Sequence, residues 1–302
     1  MIEVNHAFKG FGDITAVDDL SLTIKDKSVF GLIGTNGAGK STLIRMITGI
    51  YDSDQGSIIV DGEEVFENEK VKRNIFLIPE EIYFLPNATP LSAAGYYRAL
   101  YADFDLEKYQ KLLNDFGLDA KRKIKTFSKG MKKQVSMLLG LCANTKYLVC
   151  DETFDGLDPV MRFAVKEHIN REKENRGLTC VISSHNLREL EDVCSSIGLL
   201  HKGGILLSEE LSNLKVNIHK IQCVFAPDTD ASNLGEMNII YTEKRGSLFT
   251  FTIEGDEEEI MSRFAAISPV FYEMIPLTLE EIFISKTKEV GYDVKSVTFE
   301  NI

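Results

Sequence analysis

The sequence predicts an α/β fold class with an antiparallel β subdomain, a helical subdomain and a small C-terminal α+β appendage. Three observations carry that expectation. First, Gly34-Thr35-Asn36-Gly37-Ala38-Gly39-Lys40-Ser41 fits the phosphate-loop (P-loop) template G-x-x-x-x-G-K-[ST]. An apolar strand candidate, Val29 to Ile33, precedes it directly, and Thr42 to Thr48 place apolar residues at helical spacing after it. Second, a mostly helical stretch, about 89–144, interrupts the strands that follow. Third, beyond about residue 210 the chain reads as further strands and helices with no second phosphate loop and no acid pair. The expected domains are therefore 1–210 and 211–302.

In chain order, Ile2-Glu3-Val4-Asn5-His6-Ala7-Phe8 alternates, turns at Gly10 to Asp13 and resumes as Leu20-Ser21-Leu22-Thr23-Ile24, the pattern of an antiparallel strand pair leading to the P-loop strand. Phe11 sits in the turn, where an aromatic is either a loop anchor or, upstream of a phosphate loop, a π-face for adenine. In the loop, Gly37 and Gly39 lack a Cβ and let successive N–H groups converge on a β-phosphate under a helix N-terminus. Lys40 reaches the β- and γ-phosphates, and the Ser41 hydroxyl suits Mg²⁺.

Further strands are expected at Ser57 to Val60 and at Asn74 to Ile78, the latter running into Pro79-Glu80-Glu81. Thr89-Pro90 opens a helix through Tyr101, and apolar positions 106, 109, 112, 113 and 116 mark another that stops at Gly117. Ser128 is a good N-cap for an apolar helix running to Ala143. Strand Lys146 to Cys150 then delivers Asp151-Glu152 at its C-terminal end, where α/β sheets place ligands. Gly156-Leu157-Asp158-Pro159 turns into a helix start, and strand Thr179 to Ser183 ends in Ser184-His185 on the same side. The tail offers strands Lys220 to Phe225, Asn238 to Thr242, Ser247 to Ile253 and Val270 to Ile275, with helices Asp256 to Ala266 and Thr278 to Lys286.

Composition excludes several classes. At 302 residues, 44% hydrophobic and 26% charged, the chain can bury a large core. Its net charge of −12 repels phosphodiester backbones, so no nucleic-acid partner is expected. The most apolar run, Val135 to Ala143, falls short of the roughly 18 residues a membrane span needs, and the first residues lack a signal-peptide shape, so a cytoplasmic chain is expected. The five cysteines (142, 150, 180, 194 and 223) make no C-x-x-C pair and read as reduced structural thiols.

Taken in order, the P-loop, the Glu80 loop, Phe127-Ser128-Lys129-Gly130-Met131, Asp151-Glu152, Gly156-Leu157-Asp158 and His185 resemble the nucleotide-binding subunit of an ABC transporter over about residues 1–210. The resemblance implies a P-loop NTPase core of ABC type that binds ATP and Mg²⁺ and pairs head to tail, as a homodimer or heterodimer. Each ATP would lie between one P-loop and the other protomer's Ser128 and Gly130. Within a protomer it implies that Asn36, Gly37, Ala38, Gly39, Lys40, Ser41 and Thr42 hold phosphates and that Phe11 stacks on adenine. Ser41, Glu80 and Asp151 would serve Mg²⁺, Glu152 would be the base for the attacking water, and His185 would contact the γ-phosphate. Transport would run through a separate integral-membrane permease, placing the subunit on the cytoplasmic face of the membrane. Thr278-Leu279-Glu280-Glu281-Ile282-Phe283 resembles the C-terminal helix of exporter ATPases of that arrangement.

Departures from the family pattern stand at Lys129 and Met131, where Gly and Gln are usual, at Glu80, where Gln is usual, and at Thr153, where Pro is common. A soluble ABC ATPase acting on ribosomes or DNA is the alternative, disfavoured by the charge and by the lack of tandem ATPase domains, coiled coils or zinc insertions. A regulatory partner that binds ATP without hydrolysing it is disfavoured by the presence of both Glu152 and His185.

Overall fold

The period-2 pattern at the N-terminus folds as a long antiparallel pair, β1 (Ile2–Phe11) and β2 (Ile14–Ile24), joined at Gly12-Asp13 with Phe11 opposite Ile14. The pair is longer than the alternation predicts because register shifts between Val4 and Gly10 let pairing continue through residues that break the pattern. His6 and Asp19 take left-handed backbone angles there, with φ of 46° and 43°. The computed structural model describes residues 1–190, 193–211, 218–226, 234, 237–275, 277–278 and 281. The chain divides into two units, Met1–Ser208 and Glu209–Ile302.

The first unit continues through β3 (Val29–Ile33), α1 (Lys40–Ile47), β4 (Gln55–Val60), β5 (Glu63–Glu64), α2 (Glu69–Lys72) and β6 (Ile75–Ile78). The helical stretch follows as α3 (Pro90–Leu100), α4 (Leu106–Asp115) and α5 (Lys129–Cys142). Then come β7 (Tyr147–Cys150), α6 (Pro159–Arg176), β8 (Thr179–Ser184), α7 (Leu187–Leu190), β9 (Ser196–His201) and β10 (Gly204–Glu210). Two sheets result, an antiparallel one in the order β2-β1-β4-β5 and a six-stranded one in the order β10-β9-β3-β8-β7-β6.

One apolar cluster joins both sheets to α1: Val4, Leu22, Ile58 and Val60 from the first sheet, Leu32, Val149 and Val181 from the second, and Leu43, Ile44 and Ile47 between them. Full burial of each such side chain contributes about 1.5–3 kcal/mol. The helical stretch starts where its caps predict. Thr89 and Ser92 form a reciprocal capping box, and Asp105 and Ser128 accept from Lys108 and Met131 backbone N–H groups. Every residue of α5 from Lys133 to Cys142 is buried. A Cβ on Gly140 would stand 2.8 Å from Leu148 Cδ1 and 3.1 Å from Phe76 Cδ1, so the glycine lets α5 lie close against β6 and β7.

At the N-terminal end of β7 the Tyr147 hydroxyl binds Asp61 (2.6 Å) and Asp26 (3.1 Å), and Lys146 Nζ reaches the same two carboxylates at 2.6 and 3.0 Å. Burial pushes the Asp61 carboxyl up, but hydrogen bonds from Lys146, the Met1 amino group and Tyr147 outweigh it and hold the group at about 2. This charged knot ties the antiparallel sheet to the core sheet at the edge opposite the P-loop.

The second unit is a four-stranded antiparallel sheet of β11 (Ile218–Val224), β12 (Asn238–Arg245), β13 (Leu248–Glu254) and β14 (Phe271–Ile275), ordered β12-β13-β11-β14, with α8 (Glu257–Ile267). Ile221, Cys223, Phe251 and Ile253 of the sheet meet Ile260, Phe264 and Ile267 of α8 in one core. Asp256 caps α8, and Glu257, Glu258 and Glu259 fill its first turn, where the helix dipole favours acids. The helix expected over Thr278 to Lys286 lies mostly outside the described residues. All five cysteines are free and buried, as their spacing predicts. Among the described residues, no helix is long and apolar enough to cross a membrane.

Candidate active site

Strand register assembles the site. β3, β8 and β7 run parallel, with Ile33 opposite Ser184 and Cys150 opposite Ile182, so the P-loop, His185 and Asp151-Glu152 leave the sheet at one edge. β6 adds the Glu80 loop at that edge, because Ile78 lies opposite Cys150. These are the C-terminal ends of parallel strands, where open α/β sheets take ligands.

The P-loop turns sharply on Gly39, whose φ is 104° and whose added Cβ would lie 2.3 Å from Ala16 O. Only glycine fits there. Helix α1 opens at once with no side-chain cap and no acid in its first turn, which leaves its positive end available to an anion. Lys40 is 5% exposed, and its Nζ donates to Gly34 O (2.7 Å) and Thr35 O (3.2 Å).

Asp151 and Glu152 are ordered by β8. The Ser183 hydroxyl donates to Asp151 Oδ1 (2.7 Å) and accepts the Glu152 N–H (2.9 Å), so one side chain fixes both acids. Asp151 Oδ1 also accepts from Ser41 Oγ at 3.1 Å. Glu152 takes a left-handed backbone conformation, φ 48°, which for a residue with a Cβ costs roughly 1–3 kcal/mol. That turn aims its carboxylate between two partners, Lys40 Nζ 3.2 Å from Oε1 and His185 Nδ1 2.8 Å from Oε2. Beside them opens a cleft of about 460 Å³, lined by Ile14, Thr15 and Ala16, by residues 36–42, and by Glu80, Glu152, Asp155 and His185.

The residues present fit a nucleoside triphosphate with Mg²⁺. A free helix end and a buried ammonium suit phosphate, and the paired Ser41 hydroxyl and Asp151 carboxylate are hard oxygen donors suited to Mg²⁺. Among the described residues no group of three or more His, Cys, Asp or Glu could hold a metal. Mg²⁺ would therefore draw its remaining ligands from phosphate and water, as it commonly does.

The expected residues separate into two groups. Asn36 to Thr42, Glu80, Asp151, Glu152 and His185 come together at the cleft or its wall. Phe11, Ser128 and Gly130 are not among the cleft's lining residues. Phe11, 44% exposed, sets its ring edge-on to Tyr51 at 5.4 Å with Lys9 Nζ 5.8 Å from its centroid, while Ile14 at the far side of the same turn reaches the cleft. Ser128 caps α5, and a Cβ on Gly130 would stand 3.3 Å from Gly156 O. Thr153, in place of the usual Pro, is fully buried and donates from Oγ1 to Asp151 O at 3.3 Å. Sequence reasoning missed Ser183 and Asp155. Ser183 alone had a signal, a hydroxyl two residues before His185 on a strand expected beside the acid pair.

Comparison with known proteins agrees with this fold. The family model described as ABC transporter matches residues 17–155. The ABC transporter ATP-binding protein YtrB of Bacillus subtilis (strain 168) is 33% identical over 95% of this chain and 98% of its own length. The lipopolysaccharide export system ATP-binding protein LptB of Haemophilus influenzae is 31% identical over 66% of this chain and 86% of its own. Among solved structures, an ATP-binding subunit of an ABC transporter superposes with a TM-score of 0.66 at 27% identity, covering 71% of this chain and 92% of that one. The match to YtrB runs through the second unit, whereas that superposition covers only a share about the size of the first. With its P-loop, acid pair and histidine converging on one sheet edge, the chain belongs to the ABC transporter family as an ATP-binding, ATP-hydrolysing subunit.

Proposed function

We propose that this subunit powers export through a separate membrane permease, on the cytoplasmic face of the membrane, and that residues 1–210 do so as a head-to-tail dimer while 211–302 form an accessory domain. The observation that carries the catalytic part is Glu152 held between Lys40 and His185, beside the Asp151–Ser41 pair. Lys40 exchanges its carbonyl and carboxylate partners for phosphate, and Glu152, freed from Lys40, orients a water molecule and accepts its proton. His185 donates toward the transferring phosphoryl group. Ser41 and Asp151, with Glu80 nearby, would hold Mg²⁺, which when bound would supply charge neutralisation to the phosphates.

The placement of Ser128 and Gly130 outside the cleft supports their service to a partner protomer's nucleotide, and the lack of a Cβ at Gly130 supports close backbone approach. For the permease, a groove of about 520 Å³ follows the Glu80 loop, lined by Tyr83, Phe84, Leu85, Pro86, Tyr96 and Tyr97. Tyr83 is 75% and Leu85 60% exposed, apolar surface that a permease's cytoplasmic helix would cover. Export as the direction is supported by the likeness to the lipopolysaccharide export subunit. Pull-down of the tagged chain from native membranes, parent against Tyr83→Asp/Leu85→Asp, tests the assembly. Recovery of a polytopic membrane protein with the parent alone supports it, and no such protein with either overturns it.

A further inference from the structure

Lys133 is a buried cation to which none of the roles above assigns a part. It lies on α5, five residues after the Ser128 cap, and is 2% exposed. Its Nζ donates to two backbone carbonyls of the loop that leaves β7, Glu152 O at 2.9 Å and Asp155 O at 2.5 Å. Burial pulls its pKa down, Asp155, Glu80 and Glu189 oppose that, and Lys129 adds to it. The same helix meets the same loop a second time, where Gly130 approaches Gly156 O. Between these contacts the loop is anchored by Phe154, fully buried, and by Thr153.

The Glu152 carbonyl that Lys133 grips belongs to the residue with φ 48°. A left-handed residue swings its carbonyl off the line of the strand, and without a donor there the backbone loses what holds it in that region. We propose that Lys133 is a positioning residue for ATP hydrolysis: by binding the carbonyls of Glu152 and Asp155 it holds the turn that aims the Glu152 carboxylate into the cleft, and it ties that aim to the helix capped by Ser128. This rests on the reading of Glu152 as the general base. The grip makes displacement of α5 a displacement of Glu152, so α5, with Ser128 and Gly130 seated on a partner's nucleotide, reports that seating to the base of its own site.

The test is a double-mutant cycle on the full chain, using Lys133→Met, which keeps the apolar stem and removes the donors, with Glu152→Gln and the double variant. Single-turnover and steady-state hydrolysis of Mg-ATP give the rates, and a fluorescent ATP analogue gives binding. Lys133→Met is expected to lower kcat about 10- to 100-fold, the scale of a catalytic group misplaced by an ångström, with nucleotide Kd within about twofold of the parent. On the Glu152→Gln background it is expected to lower the rate no further. A lysine that only stabilises the fold would leave the folded variant's kcat at the parental value, or would lower both backgrounds by the same factor, and either result overturns the proposal. If Lys133→Met does not fold, Lys133→Leu, which likewise lacks a donor for the two carbonyls, is put through the same cycle with the same criterion of non-additivity. Parental hydrolysis by Glu152→Gln overturns the reading of the base itself, whereas an inactive Glu152→Gln beside a fully active Lys133→Met overturns only the role of Lys133.

Discussion

Glu152→Gln separates catalysis from nucleotide binding. The amide keeps the size of the side chain and fills the same position between Lys40 Nζ and His185 Nδ1, 3.2 and 2.8 Å from the carboxylate oxygens. Lys40 offers only donors, so the amide oxygen must face it and the NH₂ must face His185, whose Nδ1 then accepts with the proton on Nε2. The packing survives and the proton acceptor does not. Loss of a general base costs about 10² to 10⁴ in rate, or about 2.7–5.4 kcal/mol of barrier at 1.36 kcal/mol per decade. Binding moves the other way, because the carboxylate competes with phosphate for the 5%-exposed ammonium of Lys40 and its neutralisation releases that ammonium. Phosphate release at saturating Mg-ATP should fall near background, nucleotide Kd should be at or below the parental value, and size exclusion should show a dimer with Mg-ATP but not with ADP. Hydrolysis at the parental rate would place the base elsewhere. An inactive variant that stays monomeric with ATP would keep the base and refute the homodimer.

The other predictions concern residues at the cleft and the opposite edge. Phe11→Ala should weaken ATP binding by about 1–3 kcal/mol, roughly 5- to 150-fold, if the ring leaves Tyr51 to stack on adenine; unchanged affinity makes Phe11 a partner of Tyr51 only. Glu80→Gln should shift the Mg²⁺ dependence of hydrolysis more than metal-free nucleotide binding, and superimposable Mg²⁺ titrations of the two proteins would exclude a metal role. Asp61 has its pKa lowered from 3.8 to about 2 by its partners, so its contribution to stability is complete above about pH 4 and is lost as pH falls toward 2. The gap in urea midpoint between the parent and Asp61→Asn should accordingly be present at pH 7 and close by about pH 2, whereas a gap independent of pH would mean that the carboxylate's ionisation contributes nothing.

The elements legible in the sequence were those whose signals are local. Thr89 and Ser128 open their helices where the sequence placed them, and the strands expected at Val29 to Ile33 and Lys146 to Cys150 became core strands. Two kinds of strand escaped. β9 and β10 lie next to one another at the sheet's edge, and their alternation is too weak to stand out among loop residues, with β10 only half-buried. Two-residue β5 exists through pairing with β4 rather than through its own Glu63-Glu64 sequence. Helix α6 was legible at its Pro159 start, but its 18 residues have few buried positions, so its length carried little apolar periodicity to read.

The site divides along the same line, and the division has a physical basis. Gly39, Lys40 and Ser41 announce themselves because one backbone path must satisfy a tight turn, a helix start and an anion within eight residues. Glu152 was legible as an acid at a strand end, but its left-handed turn was not, since nothing in Asp151-Glu152-Thr153 favours φ above zero. That conformation is imposed by two groups distant in sequence: the Ser183 hydroxyl, brought alongside by parallel pairing of β7 with β8, and the Lys133 ammonium, brought beneath by a helix pressed against β7 at Gly140. A motif can specify which atoms do the chemistry. Where those atoms point is decided here by a strand register and a helix packing distance, and a substitution at Ser183, Lys133 or Gly140 should therefore disturb hydrolysis without touching any residue of the motifs.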